Sequence, residues 1–212
     1  MIMPRTFDLG IIRGAGMTAE PTATREKIVT AADRLFYERG FEATSFADVA
    51  ELVGISRGNF YYHFKTKDQI LDAVIERRIR DRHEMLCGWV DDGQPPRDCI
   101  ANFIGILLKN NRKIRSFGCP VGTLFSELAK LDHPGETGAR GLFDLFRVWL
   151  RHRFRDMGCG KEADALALHI LARSQGVATL ANAYPDEDFL EREVAQMLAW
   201  LDAVADQHNN HH

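Results

Sequence analysis

Side chains that suit the edges and phosphates of nucleic acids are concentrated between residues 56 and 67. Arg57 can donate two hydrogen bonds to a guanine edge, and Asn59 can bond an adenine edge or a phosphate. Gly58 leaves room for a backbone to approach closely, and Tyr62 can lie against a thymine methyl group. Phosphate oxygens, which fix register without reading sequence, suit three further side chains: Tyr61, His63 and Lys67. This set indicates binding to double-stranded DNA.

The residues before and within this group predict two short helices joined by a tight turn. Ser45 can accept the first free amide protons of a helix, and Asp48 completes a pattern close to a capping box. Gly54 can end that helix because it has no Cβ, and Ser56 caps the next helix after a short turn. Such a short turn forces the second helix across the first, which predicts a helix-turn-helix.

The second helix is expected to have an apolar inner face and a polar, aromatic outer face. At about 100° per residue, Phe60 and Phe64 lie on the same face and are expected to pack inward. Gly58 and Tyr62 lie on the opposite face, beside Asn59 and a second tyrosine. The two phenylalanines therefore hold the helix in place while the side chains that suit DNA project outward.

The run from Thr24 to Arg78, about a quarter of the chain, resembles the amino-terminal domain of the tetracycline-repressor (TetR) family. Its most specific part is the segment from Gly54 to Lys67. The residues that carry the resemblance are Arg25, Ile28, Ala31, Ala32, Leu35, Phe36, Gly40, Thr44, Val49, Ala50, Gly54, Ser56, Gly58, Tyr61, Tyr62, Phe64, Lys67 and Leu71. The resemblance implies a dimeric, all-helical repressor that leaves its operator when a small molecule binds the carboxy-terminal domain.

The resemblance also implies which residues face DNA, because the positions that match Thr44 and the outer side of the second helix do so in that family. Together with the two capping serines, the predicted DNA-binding residues are Thr44, Ser45, Ser56, Arg57, Gly58, Asn59, Tyr61, Tyr62, His63 and Lys67. Short helix pairs with apolar inner faces also occur in bundles that bind no nucleic acid. The absence of acidic residues from 57 to 67 favours DNA binding over that alternative.

Charge gives no independent support for a nucleic-acid partner. The whole chain has a net charge of −3, and residues 18 to 80 contain ten basic and ten acidic residues, whereas DNA-binding domains are commonly basic. Positive charge must therefore act locally, through Arg57, Lys65 and Lys67, with Arg25 and Lys27 near the start of the first helix. Few phosphates would be neutralised, so we expect DNA affinity to depend only modestly on salt.

Every segment beyond the motif has the periodicity of a helix, which predicts an all-α protein with two domains. We expect a flexible arm over 1–22, in which Met17 is a possible start, and a helix-turn-helix DNA-binding domain over 23–68. A helical ligand-binding and dimerisation domain would cover 69–206, and a disordered tail 207–212. The expected helices cover residues 66–89, 97–112, 120–131, 138–157, 162–183 and 186–204, with arginines 77, 78, 80 and 82 on a solvated face. The absence of a membrane span and of a signal peptide predicts a cytoplasmic protein.

The last two predicted helices carry more apolar surface than one packing partner can cover. Two helices from each of two chains can form a four-helix interface around a two-fold axis, which predicts a homodimer. That axis would set two recognition helices about 35 Å apart, or somewhat more, on a near-palindromic operator. The alternative is that these helices only complete the core of a monomer. The predicted interface residues are Leu166, Ile170, Val177, Leu180, Leu190, Val194, Met197, Leu198 and Leu201.

A small-molecule effector would need an apolar pocket with a few polar groups. The predicted lining is Phe103, Leu107, Cys119, Leu124, Phe125, Phe143, Phe146, Trp149, His169, Arg173 and Gln175. Of these, His169, Arg173 or Gln175 would orient a small, mostly apolar molecule. The alternative is that the aromatic residues, which recur at helical spacing, are ordinary core.

Cys119 lies between Gly118 and Pro120 at an expected helix start, where the helix dipole can stabilise a thiolate. Gly-Cys before a helix resembles a subgroup of the TetR family that includes sensors of electrophiles and oxidants, so a thiol switch is an alternative to a ligand pocket. A small buried residue at a helix start is the other interpretation.

The four cysteines lack a C-x-x-C pair, and no convergent nucleophile or metal-ligand set is present. We therefore expect no metal, no cofactor and no enzymatic activity. A helical small-molecule binder or enzyme that merely retains the motif is a remote alternative.

Overall fold

The computed structural model describes residues 23–184 and 186–209, and these residues contain ten α-helices, one short 3-10 turn and no strand. The predicted all-α class is confirmed. The predicted arm, residues 1–22, and the last residues of the predicted tail, 210–212, lie outside the described residues. Within the described ranges, no helix combines the length and apolar character that a membrane crossing requires.

The first four helices build the amino-terminal end of the molecule. Their bounds are α1 Ala23–Arg39, α2 Phe46–Val53, α3 Arg57–His63 and α4 Lys67–Asp91. Helices α1 to α3 and the first turns of α4 enclose one apolar core, which includes Phe36, Phe60, Phe64 and Leu71. Helix α4 then continues away from this core, so it connects the two ends of the molecule.

The remaining helices are α5 Pro96–Lys109, α6 Asn111–Phe117, α7 Pro120–Lys130, α8 Glu136–Asp156, α9 Ala163–Ala183 and α10 Phe189–Asn209. The 3-10 turn Gly160–Glu162 precedes α9. A second core lies between α5, α8, α9 and α10 and includes Ile100, Leu142, Ile170 and Met197.

Several helix bounds differ from the prediction, including the start of α10 at Phe189 rather than 186 and the ends of α5 and α10. One helix was expected over 97–112, but α5 stops at Asn110, whose side-chain amide donates to the Ile106 carbonyl at 2.9 Å. Such local bonding competes with continued helix, and α6 begins at Asn111. At the other end, 207–209 belong to α10 rather than to a disordered tail. His208 is held there, with Nδ1 2.9 Å from the Val204 carbonyl and Nε2 3.7 Å from the Glu162 carboxylate.

Arg78 joins three helices from a buried position, which corrects the prediction that it belongs to a solvated face. Its side chain is only 8% exposed. The Nε atom donates to the carboxylate of Asp33 on α1 at 2.6 Å, and Nη1 donates to the carbonyl of Pro120 on α7 at 2.7 Å. Helical periodicity alone groups Arg78 with Arg77, Arg80 and Arg82, because the helices that bury Arg78 are distant from it in sequence.

Helix α7 holds the amino-terminal core at two further points. The Glu127 carboxylate accepts the N–H groups of Phe41 and Glu42, at 2.8 and 2.9 Å, in the turn between α1 and α2. Before the start of α7, the Tyr37 hydroxyl donates to the Gly118 carbonyl at 2.8 Å. Burial raises the pKa of Tyr37 to about 12, which further favours the protonated hydroxyl that donates this bond.

Replacing Arg78 tests this junction. We expect Arg78→Met to lower the free energy of unfolding by about 2 kcal/mol, because a carboxylate and a carbonyl lose their charged donor. The measurement is urea denaturation followed by circular dichroism. Arg80→Met is the matched control, because the Arg80 side chain is 54% exposed and pairs with the neighbouring Asp81. A change of about 0.5 kcal/mol or less is expected there. Equal losses for the two variants would contradict the assigned role of Arg78.

Candidate nucleic-acid interface

Helix α2 begins at the predicted cap. The Ser45 hydroxyl accepts the N–H of Asp48 at 3.2 Å, and the Asp48 carboxylate accepts the N–H of Ser45 at 2.8 Å. This capping box confirms the sequence pattern. The hydrogen bonds from Ser45 hold the pKa of Asp48 below its usual value. Gly54 ends the helix with φ +74°, a conformation that favours glycine.

Helix α3 rests on buried aromatic rings. The Ser56 hydroxyl accepts the N–H of Asn59 at 3.3 Å, which confirms the second predicted cap. Phe60 and Phe64 are 1% and 2% exposed, as their spacing predicts. The ring of Phe60 packs 5.1 Å from that of Phe46 on α2. The helix is therefore fixed from its inner side.

The outer face of α3 is open to solvent. Arg57, Gly58 and Asn59 are exposed, and Tyr62 is 77% exposed. A Cβ added to Gly58 would meet no atom of the chain within 4 Å, so packing does not require glycine there. Tyr61 is 46% exposed, with its ring edge against Phe46 at 5.5 Å. This surface, which we call the α3 outer face, combines a guanidinium, an amide and two phenols.

Thr44 does not belong to the exposed surface, which corrects the prediction. Its side chain is 1% exposed, and its hydroxyl donates to the Gly40 carbonyl at 2.7 Å. The threonine therefore closes the turn between α1 and α2. Gly40 itself has φ +95°, and a Cβ on it would fall 3.0 Å from the Glu127 carboxylate.

Other predicted contacts are partly occupied within the chain. Lys67 donates to the Glu42 carbonyl at 3.1 Å and lies 4.3 Å above the ring of Phe41. His63 is half-buried, with its ring 5.1 Å from that of Tyr62. The hydroxyls of Ser45 and Ser56 accept the N–H groups of their own helices. These residues hold the ends of α2 and α3 in place. They also lie near the α3 outer face.

The apolar residues of the predicted pocket are divided between the two cores. Phe103 packs edge to face on Phe146 at 5.2 Å, and Trp149 packs on Trp89 at 5.8 Å. Leu107 is buried in this second core, while Leu124 is buried in the amino-terminal core instead. The rings of Phe125 and Phe143 meet at 5.7 Å between the two cores. Most of this set is packed core, which is the alternative interpretation of its spacing.

The predicted polar members of the pocket lie apart from these rings. His169 is exposed and stacks on Trp200 at 4.6 Å. Arg173 contacts Glu193 and Gln196, both at 3.1 Å, on the outside of α9 and α10. Gln175 packs against α7, where a Cβ added to Gly122 would fall 2.5 Å from its Oε1. Helical spacing placed Trp149 in the predicted pocket. It could not show that the indole N–H is buried and has no hydrogen-bond partner among the described residues.

Most of the predicted dimer residues face the interior of their own chain, which corrects that prediction. Six are buried in the second core: Ile170, Val177, Leu190, Val194, Met197 and Leu201. Leu166 and Leu198 are half-buried, and Leu180 is 45% exposed. Helices α5 and α8 cover the apolar stripes of α9 and α10. The sequence pattern identified the apolar stripes correctly but could not show which partner covers them.

The exposed side of α9 is instead made mainly of small and apolar residues, with His169 and Asn182 as its larger polar members. It contains Ala165, Leu168, Ala172, Gly176, Thr179, Leu180 and Ala183, and α10 adds Ala195, Ala199 and Ala203 beside it. Leu168 is 44% exposed. We call this surface the α9–α10 outer face.

Cys119 is the residue before α7 and is half-buried. Cys99 and Cys159 are buried, and burial raises the pKa of both thiols and that of Cys87. The described residues contain no group of three or more histidine, cysteine or acidic side chains that could hold a metal ion.

Comparison with known proteins agrees with the geometry of α2 and α3. Residues 28–74 match the family model described as "Bacterial regulatory proteins, tetR family". An uncharacterised HTH-type transcriptional regulator of Lactococcus lactis subsp. lactis is 30% identical over 173 residues, or 79% of this chain and 88% of that protein. The regulator TtgR of Pseudomonas putida is 40% identical over 87 residues, which are 40% of this chain and 41% of TtgR.

A solved structure extends the similarity to the whole fold. The TetR transcriptional regulator from Legionella pneumophila has a TM-score of 0.74 and 25% identity, with 88% of this chain and 98% of that chain covered. Shorter matches include proteins named as transcriptional repressors. The similar proteins with assigned roles are thus regulators of transcription rather than enzymes.

The thiol-switch alternative makes a prediction about relative reactivity. We expect iodoacetamide to alkylate Cys119 before the other three cysteines, because two of those are buried and all three have raised pKa values. Mass spectrometry of peptides after brief labelling at neutral pH measures the order. If Cys119 reacts no faster than Cys87, Cys99 and Cys159, a thiol switch at this position is ruled out.

Proposed function

The chain belongs to the TetR family of DNA-binding transcriptional regulators, and from this we propose that it is a homodimeric repressor released from its operator by a small molecule. The observation that carries the proposal is the α3 outer face, which is polar and aromatic outside and fixed by Phe60 and Phe64 inside. A helix held in this way can enter a major groove without rearranging.

In this proposal, α3 reads bases and the neighbouring helix ends bind phosphates. Arg57 and Asn59 reach base edges, and Tyr62 packs on a thymine methyl group. Tyr61, His63 and Lys67, which lie beside the same face, would bind phosphates of the DNA backbone. Lys67 would then bind a phosphate while keeping its bond to the Glu42 carbonyl, since an ammonium has three donors.

Two chains would pair through the α9–α10 outer face. Alanine and glycine let helices approach closely, and the exposed leucines Leu168 and Leu180 supply apolar area. A two-fold axis through this surface forms a four-helix bundle from two copies of α9 and α10. Six of the interface residues predicted from sequence are buried in the second core. They would then pack beneath the bundle within each chain.

An effector would act through the junction at α7. The amino-terminal core is bonded to the rest of the chain at Gly118, Pro120 and Glu127, so a shift of α6 or α7 moves α3 as well. Release follows if the ligand favours an arrangement in which two α3 helices no longer match the operator.

The direct test is a gel mobility shift with DNA from the intergenic region upstream of the gene, followed by sequencing of genomic fragments that the protein retains. A near-palindromic motif in those fragments is expected. Failure to retain any sequence-specific fragment would contradict the proposed role of α3. Cys119→Ser separates the thiol alternative, which requires that this variant bind DNA but resist release by an electrophile.

Gly58→Ala tests close approach of α3 to DNA. The added methyl group meets no atom of the chain, so the fold should be unchanged or stabilised by about 0.5 kcal/mol. DNA affinity should fall about tenfold or more, because the methyl group occupies space needed by the bases. Gly88→Ala on α4 is the matched control, since its Cβ also meets nothing within 4 Å. Equal affinity of the two variants in gel shift would show that Gly58 does not approach DNA.

Ala172→Glu tests the α9–α10 outer face. A carboxylate at the centre of a close helix pair would be buried without a partner, so we expect the dimer to dissociate to monomers at micromolar concentration. Analytical ultracentrifugation gives the oligomeric state, and circular dichroism checks that helix content is kept. Ala129→Glu, at an exposed alanine of α7, should remain dimeric. A dimer of unchanged affinity for Ala172→Glu would place the interface elsewhere.

A further inference from the structure

A cleft of about 740 Å³ opens on the surface between α6 and the end of α9. Its volume lies within the range of about 300–1,000 Å³ that is usual for small-molecule sites. The lining residues are Leu108, Lys109, Asn111, Arg112, Arg115, Ser116, Ala181, Asn182, Ala183 and Tyr184. We call it the α6 cleft. It contains none of the residues predicted for a ligand pocket.

The charge of the α6 cleft is positive. Lys109, Arg112 and Arg115 line it, and none of the lining residues is acidic. Arg115 pairs at 3.9 Å with Glu187, whose side chain is 85% exposed. Lys109 and Arg112 have no ion-pair partner in the described part of the chain. The carboxyl end of α9 contributes only about half a negative charge, so positive charge remains for a ligand.

The cleft also presents apolar surface and an unused acceptor. Tyr184 is 62% exposed and Leu108 is 39% exposed, so an aromatic ring and an aliphatic chain face the same opening. The Oδ1 atom of Asn111 is buried and lacks a donor among the described residues. Asn182 donates to the Arg115 carbonyl at 2.9 Å, which fixes α6 against α9.

We propose that the α6 cleft binds an amphipathic anion, an aromatic molecule that carries a carboxylate, sulfonate or phosphate group. The anionic group lies between Lys109 and Arg112, where charge-assisted hydrogen bonds are strong. The aromatic part packs on Tyr184 and Leu108. The Asn111 side chain accepts a hydrogen bond from a ligand O–H or N–H.

The cleft is coupled to the amino-terminal core by its own helix. Helix α6 ends at Phe117, whose ring packs on Tyr37 of α1 at 5.5 Å, and the next residue is Gly118, which bonds the same tyrosine. Gly118 has φ +77°, and a Cβ there would fall 2.9 Å from Thr123, so the corner between α6 and α7 is tight. A ligand that moves α6 therefore moves α1. This regulatory step rests on the proposed function, whereas binding to the cleft does not.

Binding is tested with 1-anilinonaphthalene-8-sulfonate, an aromatic sulfonate whose fluorescence rises when it is bound. The variant is Lys109→Gln/Arg112→Gln in the full chain, and the control is Lys130→Gln/Arg140→Gln, a pair of exposed cations elsewhere. We expect the first variant to raise Kd about tenfold or more and the control to leave it unchanged. The neutral analogue N-phenyl-1-naphthylamine should bind all three proteins weakly and alike. Equal Kd values for the sulfonate in all three proteins, or equal affinity of both probes, would overturn the proposal.

Coupling is tested by gel shift with the upstream intergenic DNA. The sulfonate should release DNA from the wild-type chain and not from Lys109→Gln/Arg112→Gln, and Tyr37→Phe should bind the probe but resist release. Weaker DNA binding by the double variant without probe would identify Lys109 and Arg112 as DNA contacts and overturn the ligand assignment. If the wild-type chain binds no DNA, the proposed function fails, while the fluorescence titration still decides whether the cleft binds the anion.

Discussion

The buried guanidinium of Arg78 is the contact on which the arrangement of the molecule depends. It bonds the Asp33 carboxylate of α1 and the Pro120 carbonyl of α7 from its place on α4, so one side chain fixes three helices. A charged group removed from water is costly unless its donors are satisfied, which leaves few alternative positions for these helices. The orientation of α3 relative to the rest of the chain follows from this constraint.

Helix α7 adds further contacts with α1 and with the turn after α1. Tyr37 binds the Gly118 carbonyl just before the helix, and Glu127 binds two N–H groups of the α1–α2 turn near its end. The Glu127 carboxylate replaces the water that these N–H groups would otherwise bond. Both ends of this short helix therefore hold the carboxyl end of α1 and the turn after it. The contacts that link the second core to the amino-terminal core therefore include α7, α4 and the Phe117–Tyr37 ring pair at the end of α6.

The parts of the structure that could be predicted from sequence are those decided by neighbours in the chain. The caps at Ser45 and Ser56 and the inward packing of Phe60 and Phe64 depend on residues three or four positions apart. Thr44 and Arg78 were misplaced because their burial depends on side chains and turns brought together by folding. Ile170 and Met197 were correctly identified as apolar, but period cannot distinguish a partner helix of the same chain from one of a second chain. Glu127 gave no sequence signal, since its bonds reach back 85 and 86 residues.

The exposed side of α9 carries no charged side chain, and this bears on which chains can pair with it. Ala172 and Gly176 are small and exposed, so a helix with equally small side chains can pack closely against them. A paralogue with a bulky or charged side chain at the matching position would be held away and would lose most of the van der Waals contact. If two chains pair through the α9–α10 outer face as proposed, mixed dimers with two different α3 helices would then be rare, and each operator would be bound by dimers of one kind.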